Sequence, residues 1–85
     1  MDRIAILDEL KKLLAPYTEK KELLENINEE TDLVKDLKIN SANLVDIIIE
    51  AESKYKIEID FEMASKMYTV GNCIDVISAK LNGPN

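Results

Sequence analysis

Ser41 stands in the stretch DLKINSANLVDIIIEAE, Asp36 to Glu52, where a charged loop gives way to a strongly apolar run. The rest of the composition restricts the chemistry open to its hydroxyl. Histidine is absent and Cys73 is the only cysteine, which removes the usual zinc ligand sets and Cys/His catalysis. A serine nucleophile needs a base, and no histidine exists to act as one, nor is a lysine obviously placed to replace it. No EF-hand spacing is present, so clustered carboxylates can bind Mg²⁺ or Ca²⁺ only loosely and no metal site is expected. The local sequence suits a different role. Asn40 and Ser41 are both good N-cap residues, and a helix needs only one. With Asn40 as the cap, Ser41 takes the first helical position with its hydroxyl free and facing solvent. Helix-start amides and the macrodipole there favour an attached or bound phosphate. The chemistry therefore suits a serine carrying a phosphodiester, although a plain cap is the commoner role of a serine at a helix start.

The elements that must position Ser41 follow from periodicity. Ile4, Leu7, Leu10 and Leu14 recur at helical spacing, with Asp2 as cap, Asp8 placed to meet Lys11 or Lys12, and Pro16 as the end. Thr18 to Ile27 can form a further short helical piece, weakened by Asn26 and Asn28. Residues 28–40 read as a loop anchored by Leu33 and Leu37. A second helix should run from near Ser41 to about Lys54. At about 100° per residue, Leu44, Ile47, Ile48, Ala51 and Tyr55 share one face of it. Val45 and Ile49 fall to one side, next to Ala42, and face either a second buried surface or a partner or ligand. KIEID, Lys56 to Asp60, alternates like a strand but has no second strand to pair with. It reads as an extended connector whose Ile57 and Ile59 tuck inward. Asp60 then caps a short helix containing Phe61, Ala64 and Met67. Thr69 caps a last helix with Val70, Ile74, Ile77 and Leu81 in a stripe, and Gly83 and Pro84 as its stop signal. The expected fold is an all-α bundle of three main helices and one short helix, in a single domain spanning residues 1–85.

With 85 residues, 46% of them hydrophobic, the chain can bury only a modest core and has little room for an enclosed catalytic site. A lone cysteine excludes a disulfide framework and suits a reducing compartment; Cys73 reads as a small apolar helix residue. No basic-then-apolar leader and no run near the ~20 residues of a membrane span are visible, so a cytoplasmic protein is expected. The formal net charge of −6 argues against nucleic acid or an anionic membrane as partner. The excess is concentrated: residues 29–62 hold ten acids and four bases. That concentration suits either a solvated surface or a basic protein partner.

From Asp32 to Leu81 the chain resembles the acyl carrier proteins. DLVKDLKINSANLVDIIIEAE is similar to that family's loop and second helix, YKIEI to the connector that follows, and TVGNCIDVI, Thr69 to Ile77, to the start of its last helix. The resemblance implies a four-helix bundle of acyl-carrier-protein type. It also implies a non-catalytic, monomeric carrier with 4′-phosphopantetheine attached covalently to Ser41, holding acyl groups as thioesters and sheltering them between its helices. The implied partners are a phosphopantetheinyl transferase and acyl-processing enzymes, met through Asp36, Val45, Asp46, Ile49, Glu50 and Glu52. Asn40-Ser41-Ala42 departs from the family's Asp-Ser-Leu, Lys38 replaces a usual glycine, and Asn43 and Lys54 replace common acids. These departures fit a specialised carrier in a dedicated pathway, or a carrier that has lost its arm, and the acidic second helix favours fatty acid or polyketide-type chemistry. A peptidyl or aminoacyl carrier, or a small acidic helical adaptor without a prosthetic group, are the alternatives.

Overall fold

Asp2 opens the first helix by accepting the Ala5 N–H at 2.8 Å, and Lys11 and Lys12 complement the helix dipole in its last turn. The structure, a computed structural model, describes residues 2–19 and 21–82. Four α-helices follow one another: α1 (Arg3–Leu14), α2 (Leu44–Tyr55), the single-turn α3 (Phe61–Ala64) and α4 (Val70–Asn82). Short 3₁₀ turns cover Ala15–Tyr17, which contains Pro16, Lys21–Asn26 and Ser41–Asn43. Among the described residues there is no strand, only an isolated antiparallel bridge between Asp32 and Thr69. The expected arrangement of three main helices and one short one is the arrangement observed. No helix among the described residues is long and apolar enough to cross a membrane.

The buried stripe of α1 differs from the expected one. Ile6, Leu10 and Leu14 are fully buried, Leu7 is half-buried, and Ile4 is 72% exposed. Ile4 lies roughly 160° around the helix from Ile6, so packing the Ile6–Leu10–Leu14 side leaves it in water. Asp8 forms no ion pair with Lys11 or Lys12; the ion pairs among the described residues centre on Arg3, which reaches Glu29 and Asp75. The Asp8 pairing has little to hold it, because exposed pairs contribute only about 0–1 kcal/mol.

The three main helices α1, α2 and α4 touch one another pairwise. Val70, Cys73, Ile74 and Ile77 of α4 meet Ile6, Leu10 and Leu14 of α1 and Ile47 and Ala51 of α2 in one buried cluster, with Leu81 packed partly against it. Thr69 caps α4 as expected, its Oγ1 accepting from Asn72 N–H at 3.1 Å. The Asn72 carboxamide returns the favour, accepting from the N–H groups of Tyr68 and Thr69 at 3.0 Å each. Gly83 and Pro84 lie outside the described residues.

The connecting segments are also anchored to the core. Leu33 and Leu37 anchor the long loop, and Ile39 is buried beside them. The loop zips along the entrance to α4 through Leu33 N–H to Tyr68 O (3.0 Å) and Val70 N–H to Thr31 O (2.9 Å). In the KIEID connector Ile59 is buried and Ile57 half-buried. Asp60 caps α3 by accepting from Met63 N–H at 2.9 Å. Of the three residues placed on that helix, Phe61 is 88% exposed, Ala64 ends it half-buried, and Met67 is buried but lies beyond its end. A four-residue helix presents too few turns to bury residues at both ends of that set.

Candidate functional site

Asn40 takes the cap. Its Oδ1 accepts the Ala42 N–H at 2.8 Å while its backbone stays extended (φ −65°, ψ 129°). Ser41 therefore opens the helical segment, exposed, and no hydrogen bond engages its hydroxyl. The first turn, Ser41–Asn43, is 3₁₀, and regular α-helix begins at Leu44. Lys38, three residues earlier, has φ 58°. A left-handed backbone costs a side-chain-bearing residue about 1–2 kcal/mol, which gives a physical reason for glycine to be usual at such a position.

Below Ser41, α2 divides into three sides. Ile47 and Ala51 are buried and Leu44, Ile48 and Tyr55 half-buried. Val45 and Ile49 are 60% and 56% exposed, so the side stripe faces solvent rather than a second buried surface. The acids fare differently from one another. Glu52 is partly buried, and its Oε2 accepts the Ile59 N–H at 2.7 Å. Glu50 accepts the Tyr17 hydroxyl at 2.7 Å, and this bond first, with Tyr17's partial desolvation second, pushes the tyrosine up to about 12. Asp36 accepts the Asp32 N–H at 2.8 Å and so helps to shape the loop. Asp46 alone of the four is exposed with no hydrogen bond or ion pair of its own. The sequence places all four on one recognition surface and does not show which of them the fold occupies. Tyr17 went unnoticed because it lies 33 residues from Glu50, and no local pattern signals such a contact.

Between the helices, Leu33, Leu44, Ile47, Ile48, Ala64, Met67 and Cys73 line an apolar cavity of about 30 Å³. Ligand pockets are typically about 300–1,000 Å³, so this space is closed to a fatty chain unless side chains such as Ile48 and Met67 move. Burial raises the Cys73 thiol to about 12, so at neutral pH it stays protonated and packs as an apolar residue. A wider, open depression of about 360 Å³ is lined by Glu52, Glu58, Ile59, Asp60 and Lys80, eleven residues along the chain from Ser41 at its nearest. No group of three or more residues able to hold a metal ion occurs among the described residues.

No family model matches the chain. The acyl carrier proteins of Tropheryma whipplei strains Twist and TW08/27 are each 41% identical to it over 44 residues, which is 52% of this chain and 54% of theirs. The chain thus spans about half the length of the curated relatives it matches. A solved structure of the acyl carrier protein from Enterococcus faecalis superimposes with a TM-score of 0.76, covering 94% of this chain and 99% of that one at 24% identity. The chain resembles the acyl carrier proteins in sequence, and its all-α fold is theirs.

Proposed function

We propose that this chain is a non-catalytic acyl carrier whose Ser41 bears 4′-phosphopantetheine. The observation that carries the reading is the division of labour at the start of the helical segment. Asn40 satisfies the Ala42 amide, so the Ser41 hydroxyl has no structural task and stands in solvent, able to form a phosphodiester. When bound, the group supplies a thiol on which acyl groups travel as thioesters. The residues here fit it: the serine is accessible, and the orphan amides and dipole of the helix start favour phosphate. Asp46, Val45 and Ile49 offer a charge and apolar contacts to the transferase and acyl-processing enzymes, with Glu50 held in place by Tyr17. A cytoplasmic, monomeric carrier of a specialised fatty acid or polyketide-type pathway accounts for the altered Asn40-Ser41-Ala42 motif. Intact-mass analysis after incubation with coenzyme A, Mg²⁺ and a broad-specificity transferase tests the assignment. The gain of one phosphopantetheinyl group is expected. No gain with any of several such transferases would leave the acidic adaptor as the better reading.

Charge and motif give two further expectations. Loading should slow as salt rises, because exposed charges are screened over about 8–10 Å. Asp46→Lys should raise the KM for the carrier by up to about fivefold, the upper end expected for an exposed charge contact of about 0.2–1 kcal/mol. Asp8→Lys on α1 is the control and should do little; Glu9 is unsuitable, because its carboxylate accepts the Tyr55 hydroxyl at 2.7 Å. Equal losses at Asp46 and Asp8 would indicate general charge steering instead of a recognition surface. Separately, Asn40→Asp with Ala42→Leu should speed loading by a housekeeping transferase about tenfold, near 1.4 kcal/mol. Stability should barely change, since Asp caps as well as Asn and Ala42 is exposed. A wild type already loaded as fast as the double variant would remove the case for a specialised carrier.

A further inference from the structure

Lys38 stands three residues before Ser41 and is exposed. Its backbone conformation belongs to the fold. Leu37 and Ile39 on either side are both buried, and Ile39 N–H returns to Leu33 O at 3.2 Å, with the chain left-handed at residue 38 (φ 58°). Glycine meets that demand without strain, and a lysine does not. The other side-chain-bearing residue with positive φ, Lys56 (φ 55°), caps the C-terminal end of α2, where a cation also complements the helix dipole. Lys38 ends no helix. Nor does it pair with an acid, because the ion pairs among the described residues belong to Arg3. The two acids nearest before it in the chain serve loop amides. Asp36 accepts from Asp32 N–H at 2.8 Å, and Asp32 from Val34 and Lys35 N–H at 2.9 and 2.8 Å. The fold thus accounts for the backbone at residue 38 and leaves its ammonium group unpaired.

The charge pattern gives that cation a place. Residues 29–37 hold four acids and one base, and residues 44–52 three acids and no base, whereas KINSAN, residues 38–43, holds Lys38 and no acid. A phosphodiester on Ser41 carries one negative charge, and Lys38 is the sole charged residue of that island. We propose that Lys38 is a positioning residue for the prosthetic arm, its ammonium group pairing with the phosphate carried by Ser41. This rests on the carrier assignment above. Chain length puts the two within reach, since Cα atoms three residues apart lie at most about 10–11 Å from each other. A lysine's flexible four-carbon stem and the phosphodiester together span that distance. A strained residue kept beside a functional group is also a known pattern. The pair ties the root of the arm to the loop that precedes Ser41. It also offsets, at the phosphate, the repulsion of the acids that flank the island on both sides.

The test compares thermal midpoints of the unloaded and fully loaded protein at low salt, with loading verified by intact mass. The change in midpoint on loading should be more positive in wild type than in Lys38→Met by roughly 2–4 °C, the size expected of an exposed ion pair in so small a domain. Methionine keeps an unbranched stem and the left-handed strain, so comparing each protein with its own unloaded form isolates the charge. Lys38→Arg should retain the wild-type change. So should Lys35→Met, which removes another exposed lysine, six residues from Ser41. The difference between wild type and Lys38→Met should fade as salt is added. Lys38→Gly should leave the unloaded midpoint equal or higher; a lower one would show the lysine serving the fold and overturn the proposal. An equal change on loading in wild type and Lys38→Met would overturn it while leaving the carrier assignment standing. An equal loss in Lys35→Met would do the same, by making the effect one of overall charge. A wild type that no transferase loads would remove the carrier assignment itself.

Discussion

Ser41→Ala should leave the bundle intact and abolish attachment of the prosthetic group. The fold does not use the hydroxyl, and Asn40 retains the cap through its 2.8 Å bond to the Ala42 N–H, so the thermal midpoint should match wild type. No other serine or threonine stands at a helix start with its hydroxyl free of a hydrogen bond. Ser65 donates to Glu62 O at 2.7 Å, Ser78 accepts from Asn82, and Thr31 and Thr69 accept from Asn28 and Asn72 N–H. Thr18 is buried and donates to Leu37 O. Ser53 is exposed but lies within α2, with its preceding amides already in the helix ladder. Intact mass should show one added group on wild type and none on the variant. A variant that still gained the mass would place the attachment elsewhere and remove the main support for the carrier reading.

Gly71→Ala should be the most damaging small substitution in the fold. The glycine is helical with ordinary backbone angles, so conformational freedom is not the reason for its presence. Space is the reason. A Cβ at position 71 would sit 2.7 Å from the Glu29 carbonyl oxygen and 3.0 Å from the Glu29 Cβ. The same carbonyl accepts the Gly71 N–H at 2.8 Å, and the Glu29 side chain is held by Arg3 at 2.9 Å, so moving residue 29 aside stretches both contacts. Overpacking of this kind costs about 1–3 kcal/mol. The higher helix propensity of alanine, about 1 kcal/mol in a helix interior, offsets part of it, and less in a first turn. A net loss of about 1–2 kcal/mol corresponds to a fall in melting temperature of roughly 5–15 °C for a domain of this size. Urea unfolding should show a lower midpoint with an unchanged slope. Stability equal to wild type would mean that the 29–31 loop yields more readily than its three tethers suggest.

The helices were legible because their signals are local. Asp2, Asn40, Asp60 and Thr69 each cap the segment they precede, and the stripe of Val70, Ile74 and Ile77 needs nothing beyond a period near 3.6 to be seen. The same is partly true of Ser41: an equally good cap stands one residue earlier, and the structure gives Asn40 that role. The side of α1 that packs was not legible, because Ile4, Ile6, Leu7, Leu10, Leu13 and Leu14 supply more apolar residues than one stripe can hold. Only the position of α4 decides that Ile6 enters the core and Ile4 does not. Tertiary contacts also divide the acids of α2, spending Glu52 on the Ile59 amide and tethering Glu50 to Tyr17 while Asp46 is left without a bond. They leave Phe61 in solvent and bury Met67 beyond the end of α3. Caps and periods are written within a turn or two of chain. Which face is buried, and which carboxylate remains unbonded, depend on residues tens of positions away, brought near only when the core closes.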